Sequence, residues 1–210
     1  TCKAAQKTIT ITSKIAPITE VQAELKDNDT LLVTWGETSC DQYEIRYSKG
    51  NKKNWKTLYV EGEEDDLDED SRTAEINLDD AGIRKGSKYY ITVVGVCDNS
   101  TSVAAGRSSV KATDSFRRVA KVTQIKVVRL DSKRIKISWK KTASADGYKI
   151  YRKKSGEKYV KSKAYATTSR AYFIDRKAKK DFKYTYYIKS YQKGGETGQI
   201  EGPIKATEEI

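Results

Sequence analysis

Apolar and polar residues alternate with a period of two in segment after segment, and turn residues separate the segments. Leu31, Val33 and Trp35 alternate with Leu32 and Thr34, and Tyr43, Ile45 and Tyr47 with Glu44 and Arg46. Tyr89, Ile91 and Val93 form a third such run before Gly95. The second half repeats the series with Ile135, Ile137 and Trp139, then Tyr148 and Ile150, then Tyr184, Tyr186 and Ile188. No long stretch carries the 3.6-residue period of an amphipathic helix. A strand ending in tryptophan, a tyrosine strand about nine residues later and a late tyrosine-led strand recur at a spacing of roughly 100 residues, which reads as an internal duplication.

The pattern predicts strands over 18–25, 30–36, 41–48, 55–60, 73–78, 88–97 and 104–112 in the first copy. In the second copy it predicts 121–130, 134–140, 147–153, 157–163, 169–174, 182–191 and 199–207. The joint falls over 114–121, a short basic stretch without proline or glycine, and reads as a linker of limited swing. Residues 1–13 belong to neither copy; Thr8–Thr12 alternate like a strand and read as the end of a preceding module, with an edge strand seeking a partner as the alternative.

Composition narrows the chemistry. Among 210 residues there is no histidine, which removes the usual general base, the usual zinc ligand and every Ser/His or Cys/His nucleophile pair. No apolar run reaches the roughly 20 residues that span a bilayer. Charge is uneven. Residues 1–118 hold 17 Lys+Arg against 20 Asp+Glu, a net of −3, and residues 119–210 hold 24 against 9, a net of +15. A field of that size attracts polyanions, while the same lysines also serve to keep a tyrosine-rich sheet protein in solution.

At these residues the chain resembles tandem fibronectin type III domains. Trp35 is similar to that family's buried tryptophan on its second strand, and Tyr43, Ile45 and Tyr47 to its third. Ile83–Val93 resembles the run in which a corner tyrosine, here Tyr89, ties the sixth strand to the loop before it. This copy has Lys85 where the family usually has proline. In the second copy Trp139, Gly147–Arg152 and Tyr184–Ser190 match, with Ala178 in place of the corner leucine. Ala145–Arg152 is similar to type III repeats of Gram-positive surface and secreted proteins. The resemblance implies an all-β chain of two tandem seven-stranded immunoglobulin-like sandwiches, over 14–116 and 117–210, with 1–13 outside.

In that fold Cys40 and Cys97 fall at the same end of neighbouring antiparallel strands, so the resemblance implies a disulfide; two idle thiols are the alternative. A disulfide implies an oxidising, extracellular or cell-surface setting. Cys2 is left over, for a partner elsewhere or for lipid attachment. The acidic run Glu61–Asp70 offers clustered carboxylates for calcium but lacks the order of a dedicated calcium loop, so a solvated loop is the expectation. The loops 36–41 and 98–107 are where type III domains often bind. Asn28-Asp-Thr30 and Asn99-Ser-Thr101 are glycosylation sequons of consequence only in a eukaryotic source.

The candidate binding surface comes from register in the second copy. With Tyr148, Ile150, Tyr184, Tyr186 and Ile188 inward, Lys149, Tyr151, Lys153, Lys183, Tyr187, Lys189 and Tyr191 turn outward together. Such a face offers rings for stacking and ammonium groups for carboxylates, sulfates or phosphates, although tyrosine and lysine also suit any exposed sheet. The expected function is a non-enzymatic interaction, adhesion or spacer module of a larger protein. The alternative is a module binding an acidic glycan or cell-wall polymer, alone or accessory to an enzyme. No cofactor, metal or catalytic residue is expected. A protein or anionic glycan is the expected partner, a monomer the expected state, and nucleic acid is disfavoured because no groove-reading helix is present.

Overall fold

A computed structural model describes residues 15–36, 40, 42–61, 72–97, 106–158 and 163–210. The described residues form strands and no helix. The first series is β1 (Val21–Leu25), β2 (Thr30–Trp35), β3 (Gln42–Lys49), β4 (Lys56–Glu61), β5 (Thr73–Asn77), β6 (Lys88–Cys97), β7 (Gly106–Arg107) and β8 (Asp114–Arg117). The second is β9 (Thr123–Arg129), β10 (Ile135–Lys140), β11 (Gly147–Lys154), β12 (Ala166–Thr168), β13 (Tyr172–Asp175), β14 (Tyr184–Lys193), β15 (Gln199–Glu201) and β16 (Lys205–Ala206).

The first series forms a sheet of order β1-β2-β5 and another of order β4-β3-β6-β7, with β8 also on β6. The second repeats this as β13-β10-β9 and β12-β11-β14-β15, with β16 also on β14. The protein is all-β and has the strand order of two tandem fibronectin type III-like sandwiches. In the second series alternation does the folding. Ile135, Ile137 and Trp139 on β10 meet Tyr148, Ile150, Tyr184, Tyr186 and Ile188 from the other sheet in one buried cluster. Burying each aromatic removes on the order of 150–250 Å² from water, which is most of what a small sandwich has to gain.

Both corner tyrosines close as the resemblance implies. The Arg84 N–H donates to the Tyr89 hydroxyl at 3.1 Å, and the Lys179 N–H to the Tyr184 hydroxyl at 3.1 Å. Neither substitution at the corners prevents this. Lys85 instead reaches Asp29 at 2.8 Å, and Ala178 is fully buried in the second core.

Two expectations are corrected, and a third lies mostly outside the described residues. The last strand of each series is split: residues 108–113 separate β7 from β8, and residues 202–204, with Pro203 among them, separate β15 from β16. Proline has no N–H to give a ladder, so the second interruption has a direct cause. Residues 159–162 of the expected 157–163 strand lie outside the described residues, and the fourth described strand of the second series is Ala166–Thr168. It pairs with the first half of β11, where the Tyr165 N–H bonds the Ile150 carbonyl at 2.8 Å and the Tyr165 hydroxyl bonds Asp175 at 2.9 Å, fixing where pairing begins. Finally, much of the expected linker is structured, because 114–117 is β8, paired to β6.

Beyond β8 the chain is held by a buried arginine. The Arg118 side chain is wholly enclosed; it donates to the Asn28 carbonyl at 2.7 Å and to the Ile83 carbonyl, and reaches Asp29 at 2.6 Å and Asp79 at 2.7 Å. Asn28 clamps the next residue, accepting from the Val119 N–H at 2.7 Å and donating to its carbonyl at 3.2 Å. Ser190 Oγ then donates to the Ala120 carbonyl at 2.6 Å. Backbone contacts divide the chain into two compact units, one from the described parts of 1–22, 34–73 and 90–114, the other from 23–33, 74–89 and 115–210. The Arg118 bonds are among those that tie 23–33 and 74–89 to the second. No helix among the described residues is long and apolar enough to cross a membrane.

Candidate functional site: the lysine and tyrosine face of β11 and β14

Register sets this face. Gly147 pairs with Tyr191, Lys149 with Lys189, Tyr151 with Tyr187 and Lys153 with Thr185. Side chains at paired positions share a side of the sheet, so the predicted residues on β11 and β14 do come together, with exposed Lys183 just before β14. Their availability differs from expectation. Tyr151, read as outward, is only 6% exposed; Tyr187, Tyr191, Lys149, Lys153 and Lys189 are half-buried.

Glu201 on β15 accounts for two of the lysines. Lys149 binds one of its oxygens and Lys189 the other, the latter at 2.8 Å. Burial pushes the Glu201 carboxyl up, but the hydrogen bonds from Lys149 and Lys189 outweigh it and hold the group below the usual carboxylate range. Next to this triad the Tyr191 ring lies directly on Gly147, where an added Cβ would come 2.6 Å from the hydroxyl oxygen, and Lys149 Nζ stands 5.9 Å from the ring centre. Lys153 and Lys183 are the members of the set with no carboxylate partner among the described residues.

Of the other candidates, Cys40 and Cys97 form a disulfide with Cα atoms 4.8 Å apart. Residues 37–39, 41, 62–71 and 98–105 lie outside the described residues, and with them nearly all of the acidic run, most of both binding loops and Asn99; Cys2 lies outside them too. Asn28 has its side chain committed to Val119, so that sequon carries no free amide. Among the described residues no group of His, Cys, Asp and Glu is arranged to hold a metal ion.

The sequence reading missed a polar cluster inside the second sandwich. Asp175 is wholly buried and accepts four hydrogen bonds: Arg152 Nη1 at 2.9 Å and the Tyr186 hydroxyl at 2.7 Å on one oxygen, the Tyr165 hydroxyl at 2.9 Å and the Lys177 N–H at 2.8 Å on the other. Burial pushes its carboxyl up, and these four donors bring it below the usual range. Tyr165 is pushed up to about 12, first by burial and then by its bond to Asp175. The Arg152 guanidinium also lies 4.1 Å from the Tyr165 ring centre and 5.1 Å from that of Tyr184. With every lone pair used and no exposure, this carboxylate is placed to hold β11, β13 and β14 together, not to meet a substrate. Only its spacing at the end of the Tyr172–Asp175 alternation hints at it in the sequence.

No protein-family model and no curated protein matches the chain. Among solved structures it is similar to a two-domain fibronectin type III segment of chicken tenascin, at 17% identity over 92% of this chain and 98% of that one, with a TM-score of 0.42. It is also similar to the FN1–FN3 domains of chicken CNTN1, at 17% identity over 95% and 67%, with a TM-score of 0.39. Strand order, rather than either superposition, makes each half a type III-like sandwich.

Proposed function

We propose that this tandem of fibronectin type III-like sandwiches is a non-enzymatic interaction, adhesion or spacer module of a larger extracellular or cell-surface protein. The observation that carries the reading is where the deepest polar groups point. Asp175 and Arg118, both fully enclosed, direct their hydrogen bonds to the fold itself. The Cys40–Cys97 disulfide supports an oxidising setting. The reading is tested by incubating the full chain with a panel of glycosides, esters and peptides; turnover that survives repurification would overturn it.

A second reading has its own support in the +15 excess over residues 119–210. In it the chain holds an acidic glycan or cell-wall polymer on the face containing Lys149, Tyr151, Lys153, Lys183, Tyr187, Lys189 and Tyr191. Lys153 and Lys183 supply the charge, while Lys149 and Lys189 require Glu201 to yield them. Retention of the full chain on heparin and on a teichoic-type polymer, at two salt concentrations, tests this. Selective retention lost in Lys153→Glu/Lys183→Glu supports the face; weak retention that both salt and any charge reversal remove equally means generic charge.

A further inference from the structure

The sheet β13-β10-β9 turns one side into the core and the other to solvent. On the solvent side Lys136 pairs in register with Val128, and Tyr172 and Lys126 flank Ser138 in the neighbouring row. Val128 is 44% exposed, Tyr172 37%, and Leu130, just past the end of β9, 45%. Three of the four large apolar side chains left exposed among the described residues therefore belong to one sheet face and its margin. A scattered exposed valine or leucine needs no explanation, but a cluster on one face does.

Cations surround the cluster. Lys136 Nζ lies 5.6 Å from the Tyr172 ring centre and the Arg170 guanidinium 5.8 Å from it, and Arg170 donates to the Tyr172 hydroxyl at 3.0 Å. The only carboxylate in β9, β10 and β13 is Asp175, enclosed on the core side. None of Lys126, Lys136 and Arg170 pairs with a carboxylate among the described residues. This is the reverse of the β11–β14 face, where Glu201 holds two lysines.

Apolar groups and unpaired cations on one face set two demands on a partner. A purely apolar partner would bury ammonium groups without a counter-charge, which is costly. A hydroxyl-rich acidic glycan would meet the cations but would leave Val128 and Leu130 without apolar cover. We infer that this face is a docking site for an acidic peptide segment of a partner protein in which carboxylates are interspersed with aliphatic side chains. The inference rests on the reading of the chain as an interaction module, and not on the polyanion reading of the β11–β14 face.

The test is fluorescence anisotropy of the full chain with a labelled peptide Asp-Leu-Glu-Asp-Leu-Glu-Asp, against a charge-matched peptide with serine for both leucines. Saturable binding is expected, about tenfold weaker for the serine peptide because the aliphatic contacts are gone. Lys136→Glu/Arg170→Glu is expected to weaken it by at least about tenfold, and Val128→Ser, a change at an exposed site, severalfold, with thermal midpoints showing both variants folded. Lys153→Glu/Lys183→Glu is expected to leave it unchanged. The inference is overturned by absence of binding, by equal binding of the two peptides, or by equal loss in the Lys153/Lys183 variant. Heparin binding more tightly than the peptide through Lys136 and Arg170 would overturn it in favour of a glycan. Failure here with polymer retention intact on the β11–β14 face would leave the interaction reading standing.

Discussion

Asparagine at position 175 is the perturbation that asks most of the second sandwich. Each Asp175 oxygen accepts two donors, so replacing either by an amide nitrogen sets that donor against two others, from Arg152 and Tyr186 or from Tyr165 and Lys177. Two lost hydrogen bonds at about 1–1.5 kcal/mol each, plus a half-buried Arg152 without its counter-charge, come to about 3–4 kcal/mol. That is a large part of the roughly 5–15 kcal/mol that stabilises an ordinary domain. The assay is urea unfolding of the full chain followed by tryptophan fluorescence, for Asp175→Asn, Arg152→Met and the pair. The two changes share one ion pair, so the double variant is expected to cost about 2 kcal/mol less than the sum of the singles. Additivity within about 0.5 kcal/mol, or a cost of Asp175→Asn below about 1 kcal/mol, would show that the cluster does not hold the three strands together.

Other outcomes rest on the same geometry. Asp175 titrates below its unfolded value, so its contribution is present above about pH 4 and is lost as pH falls through the depressed folded value; acid unfolding of Asp175→Asn, monitored by circular dichroism, is expected to show a shallower slope. Tyr165 is raised to about 12, so its contribution is present below about pH 10 and fades as pH climbs toward the folded value, an alkaline loss that Tyr165→Phe should flatten. The Cys40–Cys97 bond spans a sequence separation of 57 residues, and Cys40→Ala/Cys97→Ala or reduction should lower stability by about 4 kcal/mol in thermal or urea unfolding. Gly195 has φ near +73°, and an added Cβ would stand 2.5 Å from the Lys26 carbonyl oxygen, so Gly195→Ala should cost about 2 kcal/mol or more, read as a drop in thermal midpoint.

How legible each feature is in the sequence depends on how local its cause is. Period-two alternation places Trp35, Trp139 and both corner tyrosines correctly, because each strand's inward set is fixed by its own sequence. Cys40 and Cys97 need only the strand order. The face of β11 and β14 is legible in register but not in charge, since Glu201 lies 52 residues from Lys149 in sequence and nothing near either lysine announces it. Arg118 and Asp175 are illegible for a related reason. A charged residue is assigned to the surface unless its partners are known; those of Arg118 come from turns far back along the chain, and those of Asp175 from several neighbouring strands and turns at once. The β9–β10–β13 face is within reach of the same alternation that locates the other one. Val128 and Leu130 conceal it, because apolar residues turned to solvent break the polar-outward pattern by which a solvent face is recognised.

The Arg118 anchorage bears on how such modules behave in series. A residue that follows β8, yet holds the Asn28 and Ile83 carbonyls, makes those two turns dependent on chain that comes after them. In the language of repeat arrays this is a nearest-neighbour coupling energy, added to whatever each repeat contributes alone. Loss of the Arg118 side chain would leave the Asn28 and Ile83 carbonyls without that donor, so opening just after β8 would reach back to both turns. Cutting or pulling the chain just after β8 would then release the Asn28 and Ile83 turns together.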